Sequence, residues 1–235
     1  MTYWITIFIL RLLVPCFTRF RVHGRDRIPR TGAFLLVSNH ISHFDPPVYS
    51  TASVRAIDWM GSEILFRGAI TRLYFRVVQV IKVRQYEADQ AALREAVRRV
   101  RAGRCVGLFP EGGIRAGAAS FLGSQHKVYE GAFMIAVLAR APILPCLVIG
   151  SDRLYNPVNL LRRPPIWVRF GEPIVPGGQG REEIQRLKDE TLKAIRRLAD
   201  ELRAEGVIRE DDWPKTPQER NPRLPPPRRA APALE

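Results

Sequence analysis

The sequence predicts an α/β fold, a layered mixed and largely parallel sheet flanked by helices, with an N-terminal membrane-interfacial helix. Three observations predict it. From residue 33 onward, short apolar runs of strand length alternate with amphipathic helical stretches, the pattern of a sheet covered by crossover helices. The longest apolar stretch, residues 131–151, is broken by Arg140, Pro142 and Pro145, so it reads as a buried helix followed by a buried strand and not as a membrane span. The first 20 residues are apolar and aromatic, yet Arg11 and Pro15 interrupt them, which makes them too short and broken to cross a bilayer.

Taken in order, residues 1–20 read as a helix lying in the membrane interface through Trp4, Ile5, Phe8, Ile9, Leu12 and Leu13. Arg19, Arg21, Arg25, Arg27 and Arg30 follow it, and a secretory signal would carry its charge before the apolar run. The arginines suit anionic headgroups. The competing expectation is a helix packed on the protein's own core. Residues 33–39 form an apolar strand, and Asp45 with Pro46 supplies an N-cap and first-turn proline for a helix to about Val54. Residues 77–83 read as a strand. Leu93, Ala96, Val97 and Val100 then share one helical face, which ends at Gly103. Residues 105–109 are the next strand, residues 143–150 and 166–171 are two more, and residues 181–206 make a long amphipathic helix ended by Gly206. The domain therefore spans 21–212, and residues 213–235 form a Pro- and Arg-rich tail expected to be disordered.

The chain has 235 residues, and its 46% hydrophobic composition excludes disorder and collagen for the bulk of it. Lys and Arg number 37 against 23 Asp and Glu, a net charge of +14, which favours an anionic partner such as nucleic acid, a membrane surface or a phosphorylated substrate. Cys16, Cys105 and Cys146 are odd in number and far apart, so neither a disulfide framework nor a thiolate zinc site is indicated, and a reducing compartment fits.

Two motifs carry the chemistry. Residues 38–47, SNHISHFDPP, stand where an apolar strand ends and a proline-started helix begins, the place where open α/β sheets hold their sites. Four residues separate His40 from Asp45, enough for the carboxylate to fold back on the imidazole, fix its tautomer and leave Nε2 to take a proton from a hydroxyl. Alternatively Asp45 only caps its helix. The second motif, FPEGGIR at 109–115, also follows a strand; its Glu111-Gly112-Gly113 turn offers backbone amides beside Arg115 as a phosphate cradle.

An N-H-x4-D, an arginine after a strand at Arg84, then F-P-E-G, an apolar helix and the proline-containing start at 141–145 come in that order. In this the sequence resembles the glycerolipid acyltransferase family, of which bacterial 1-acylglycerol-3-phosphate O-acyltransferase is the best-known member, from about Arg21 to Pro176. The resemblance implies that His40 is the catalytic base and Asp45 its orienting partner. It places Arg84, Glu111 and Arg115 in the acceptor's phosphate and glycerol site, with Gly112 as the turn residue beside them. The family commonly reads F-P-E-G-T-R-S; here Gly113 and Ile114 intervene and the arginine comes one place later, at Arg115. The basic residue of the following stretch is Lys127, four places before Gly131.

The activity implied is transfer of a fatty acyl chain from acyl-CoA or acyl carrier protein to the free hydroxyl of a lysophospholipid, with 1-acyl-glycerol-3-phosphate giving phosphatidic acid. Such an enzyme needs no metal and no bound cofactor, since the acyl donor is a co-substrate. Its partners are an anionic membrane surface, the lysolipid and the donor, and its place is the cytoplasmic face of the cell membrane, peripheral or monotopic. Alternatives are another lysolipid acceptor, or a non-catalytic binder of anionic lipid using Arg94, Arg98, Arg99, Arg101 and Arg104. His40, His43 and Asp45 also form H-x-x-H-x-D, a hint of a metallohydrolase loop, but no compact ligand set accompanies it. Nucleic acid is not an expected partner, because aromatics do not interleave with the basic residues. No G-x-S-x-G, P-loop or G-x-G-x-x-G occurs.

Overall fold

The computed structural model describes residues 2–84, 89–123, 127–209 and 212–213. In chain order the elements are α1 (Thr2–Phe17), β1 (Arg19–His23), β2 (Leu35–Ser38), α2 (Asp45–Ala52), β3 (Ile57–Ser62), α3 (Ala69–Val77), β4 (Ile81–Val83), α4 (Gln90–Arg101), β5 (Cys105–Leu108), α5 (Gly131–Ala139), β6 (Ile143–Ile149), α6 (Pro157–Leu161), β7 (Pro165–Phe170) and α7 (Gly180–Ala204). The strands form one seven-stranded sheet in the order β1-β7-β6-β2-β5-β3-β4. Every pairing is parallel except that of β6 with β7, so the expected mixed, largely parallel sheet is present.

The central strands are apolar runs because both their faces are covered. Every residue of β2, β5 and β6 is buried, which is why these segments show no alternation of polar and apolar positions. On one face Val48, Tyr49 and Ala52 of α2 pack with Phe34, Leu36, Ile57 and Trp59. On the other, α4 and α5 contribute Ala92, Ala96, Val100, Phe133 and Ala136 against Leu35, Val37 and Val106. The long α7 closes this side farther along, with Ile195, Leu198 and Leu202 against Leu147, Ile149 and Trp167. The apolar stretch at 131–151 is indeed a buried helix and a buried strand, α5 and β6, separated at Arg140 in the left-handed region.

Three expectations change. Residues 77–83 are not one strand: Val77 ends α3, Gln79 takes a positive φ of 61°, and only Ile81–Val83 pairs, along the last three residues of β3. The apolar run is split because a left-handed residue breaks the extended backbone. The helix expected over 1–20 ends at Phe17, and residues 19–23 form a strand that pairs in register with β7 from Arg19 opposite Pro165. Asp45 is the first residue of α2, not its cap; Phe44 takes the cap position. A capping carboxylate at Asp45 would accept from the N–H groups of residues 47 and 48, but Pro47 has none and Val48 donates to Phe44 O at 3.0 Å, so the Asp45 side chain turns back to the preceding loop. The Pro- and Arg-rich tail lies outside the described residues from 214 onward.

Because β7 runs against β6, its first residue stands level with the end of β6, and β1 starts beside it. The end of α1, the start of β7 and the carboxyl ends of β2, β5, β3 and β4 thus share one edge of the sheet. No helix among the described residues is long and apolar enough to cross a membrane.

Candidate active site

His40 and Asp45 meet at this edge. The loop after β2 begins with Asn39, whose side chain donates from Nδ2 to Val148 O and accepts at Oδ1 from Val148 N, both at 2.9 Å. This amide continues the β2–β6 ladder by one side-chain rung and fixes where the loop departs. His40 Nδ1 lies 2.8 Å from Asp45 Oδ2. Asp45 Oδ2 also accepts from the backbone N–H of Ile41 at 2.8 Å and of Ser42 at 2.9 Å. The other oxygen, Oδ1, accepts from Ser151 Oγ at 2.5 Å. The Asp45 side chain is fully buried, and both of its oxygens are hydrogen-bonded. With Nδ1 held by Asp45, Nε2 is the ring nitrogen able to accept a proton.

Ring stacking sets the plane of the imidazole. Phe109, the first residue of F-P-E-G, stacks on His40 at 4.0 Å and 10°, and Trp59 stacks on the far side of Phe109 at 5.1 Å and 9°. Trp59 is itself held by a bond from Nε1 to Ser50 Oγ at 2.9 Å. Sequence reading passed over Asn39, Phe109, Trp59 and Ser151 as site residues. Asn39 and Phe109 belong to the two motifs, where no role had been assigned to them, whereas Trp59, inside β3, and Ser151, after β6, carry no local signal.

Glu111 stands beneath the site. It is fully buried, and its carboxylate accepts from His40 N at 2.5 Å and from Phe121 N at 2.6 Å. It joins the His40 loop to residues 117–123, and both its oxygens are turned to backbone amides rather than to an open acceptor site. Burial pushes its carboxyl up to about 8, against the opposing pull of the two amide bonds. Gly112 follows with φ 69°, where a Cβ would come within 2.5 Å of the Tyr129 ring, so this turn takes glycine for both conformation and space. One of the turn's amides, and that of Arg115 beyond it, are not open for phosphate. Gly112 N donates to Phe109 O at 3.2 Å and Arg115 N donates to His40 O at 2.8 Å.

Arg115 is thereby tied to His40 through the backbone, and its charge lies close enough to Glu111 to oppose the rise of that carboxyl. Lys127 is exposed, with Nζ 5.0 Å from the centre of the Tyr129 ring, the ring that lies against Gly112. Arg84 directly follows β4, three strand positions and about 14 Å from β2 across the sheet. Its backbone N–H donates to Asp89 Oδ2 at 2.9 Å, and with Lys82, Asp89 and Arg99 it lines a cleft of about 390 Å³. The structure thus brings His40, Asp45, Glu111, Gly112 and Arg115 together, and sets Arg84 and Lys127 at the margin.

His43 diverges from His40: its Nδ1 meets Tyr155 Oη at 2.5 Å, and the same hydroxyl accepts from His43 N at 2.9 Å. Among the described residues no three His, Cys, Asp or Glu side chains converge as a metal-ligand set. The hydroxyls flanking His40 are engaged elsewhere. Ser38 bonds Tyr49 and Asn39, and Ser42 Oγ accepts from Phe44 N at 2.9 Å.

Residues 19–149 match the family model described as Acyltransferase. An uncharacterised protein of Mycobacterium tuberculosis is 29% identical over 185 residues, covering 72% of this chain and 47% of that protein. The 1-acyl-sn-glycerol-3-phosphate acyltransferase of Borreliella burgdorferi is 25% identical over 136 residues, covering 57% of this chain and 52% of that one. The chain spans about half the length of the curated relatives it matches. The crystal structure of the 1-acyl-sn-glycerophosphate acyltransferase from Thermotoga maritima has the same fold, with a TM-score of 0.64 at 24% identity over 84% of this chain and 80% of that one.

Proposed function

Because the chain belongs to the glycerolipid acyltransferase family, we propose that it moves a fatty acyl group from the thioester of acyl-CoA or acyl carrier protein to the free hydroxyl of a lysophospholipid, with 1-acyl-glycerol-3-phosphate as acceptor and phosphatidic acid as product. The observation that carries this reading is the 2.8 Å contact of His40 Nδ1 with Asp45 Oδ2, which leaves Nε2 to act.

The acceptor hydroxyl attacks the thioester carbonyl while His40 Nε2 takes its proton. The tetrahedral intermediate then collapses, the C–S bond breaks, and the thiolate leaves with the proton returned by His40. One ester bond replaces one thioester bond. Asp45, fixed in place by its donors, orients the imidazole and steadies its charged form. Engagement of Ser38 and Ser42 elsewhere favours direct attack over an acyl-enzyme. Written so, the reaction balances without a metal or a bound cofactor. Arg115, with Arg84 and Lys127 farther out, supplies positive charge for an acceptor phosphate, and Glu111 holds the His40 loop in place.

The membrane reading rests on α1. It packs through Ile7 and through a bond from Arg11 to Ser53 O at 2.7 Å, and turns Trp4, Ile5, Phe8, Ile9, Leu12, Leu13 and Phe17 outward. That outward face suits a helix lying at an anionic cytoplasmic leaflet. Of the arginines that follow, Arg27 pairs with Glu172 at 2.8 Å, so the electrostatic share falls more on Arg19, Arg21, Arg25 and Arg30.

The test is an assay of purified protein on a panel of lysolipids crossed with acyl-CoA and acyl carrier protein donors, scored by product mass. Acylated lysophosphatidate formed by the protein and lost in His40→Ala supports the reading. Turnover of a different lysolipid alone reassigns the acceptor, and lipid binding without turnover of any donor favours a non-catalytic protein.

A further inference from the structure

Helix α3 has its apolar side on the wrong face for a core helix. At 100° per residue, Leu73, Tyr74 and Val77 fall on one arc, and all three are exposed, Leu73 by 64%. On the far side Phe75 is half-buried, with its ring 5.6 Å from that of Phe66. Ile64, in the turn before the helix, is exposed by 56% and adds to the outward surface. Residues 64–80 include Arg67, Arg72 and Arg76 and no Asp or Glu, and all three arginines are exposed. The nearby Glu63 faces Lys82 at 3.6 Å. An outward apolar stripe bordered by cations alone complements an anionic lipid surface.

Its place in the fold adds a geometric reason. The segment leaves from the carboxyl end of β3, the edge at which His40 stands, and leads to the edge strand β4. The end of α1 reaches the same edge beside β1, at the opposite side of the seven-stranded sheet, about 29 Å away. We propose that α3 is a second lipid-docking element, which lays its outward stripe into an anionic leaflet and, together with α1, turns the carboxyl edge of the sheet toward the membrane. This rests on the membrane reading above and deepens it. One contact leaves the protein free to tilt, whereas two at opposite ends of the sheet hold the His40 edge level with headgroups that carry the acceptor.

The experiment uses the full chain with Leu73→Cys in a Cys16→Ser background, labelled with a polarity-sensitive fluorophore; Cys105 and Cys146 are buried. A second labelled chain carries the probe at Leu12. Vesicles are phosphatidylcholine with or without phosphatidylglycerol. The expected result is a blue shift at position 73 with the anionic vesicles, quenched by nitroxide-labelled lipid. In otherwise unaltered full-length protein, Leu73→Glu with Val77→Glu should weaken vesicle binding by about tenfold or more. The same pair should lower turnover of vesicle-borne acceptor while leaving turnover of a monomeric short-chain acceptor unchanged. A shift at position 12 without one at 73 overturns the proposal and leaves α1 as the anchor, while no shift at either position overturns the membrane reading as well. A shift at 73 on raising protein concentration without lipid gives the face to a second copy, and a shift with soluble acyl-CoA gives it to the donor's chain; either overturns the proposal.

Discussion

Ser151 Oγ donates to Asp45 Oδ1 at 2.5 Å, across 106 residues of sequence, and completes the shell of donors around the carboxylate that holds His40. Gly150 makes this possible. At φ 88°, with a Cβ that would come within 2.3 Å of Pro165 O, it turns the chain sharply off β6 and aims Ser151 back at the site.

Removing that donor should act on turnover through Asp45. Ser151→Ala is expected to lower kcat by about tenfold with little change in either KM, the scale of a hydrogen bond to a charged group. In an Asp45→Asn background the same substitution should have little further effect, because its route is gone. Steady-state kinetics of the four proteins check this, and equal losses in both backgrounds would show that Ser151 acts by another path.

His40→Ala should reduce turnover by about 10² to 10⁴ with the fold retained, as for loss of a general base. His43→Ala should do much less, since His43 faces Tyr155 and not Asp45. Activity and circular dichroism measured side by side distinguish the two, and the reverse order of losses would move the base to His43.

Arg115→Ala should raise KM for a phosphate-bearing lysolipid by about tenfold and raise KM for the thioester less. A rise confined to the thioester would place the Arg115 guanidinium on the donor side.

Glu111 gives a pH signature in stability. Its folded-state value of about 8 stands above the ordinary 4.5, so between these values the native protein binds more protons than the unfolded chain. Its contribution is therefore full below about pH 4.5 and is lost as the pH rises through about 8. Glu111→Gln should lower Tm across the range, because an amide nitrogen then faces a backbone N–H, and should flatten this part of the pH dependence. Differential scanning fluorimetry from pH 5 to 9 reads both effects, and parallel curves for the two proteins would remove Glu111 as the titrating group.

Much of the fold was legible because burial on both faces writes itself locally. The apolar runs at β2, β5 and β6 and the amphipathic periods of α4 and α7 needed no partner to be read. The segments misread were those whose state depends on a distant neighbour. Residues 19–23 carry alternating arginines and become a strand because β7 offers its edge to them. The run 77–83 looked like a strand until Gln79 broke it and β3 offered only three partners.

The sequence by itself determined the alternation of strands and helices, and the positions of N-H-x4-D and F-P-E-G at strand ends, since both follow from local pattern and turn chemistry. Tertiary structure alone decided what those motifs touch. Pairing Ser38 with Cys146 between β2 and β6 brings Asn39 to Val148 and sets Ser151 within reach of Asp45. Pairing Val37 with Leu108 between β2 and β5 brings Glu111 under His40, where a residue expected at the acceptor instead ties two loops together. Contacts of this kind depend on strand register and on burial, which are properties of chain segments 70 to 110 residues apart, and no local pattern encodes them.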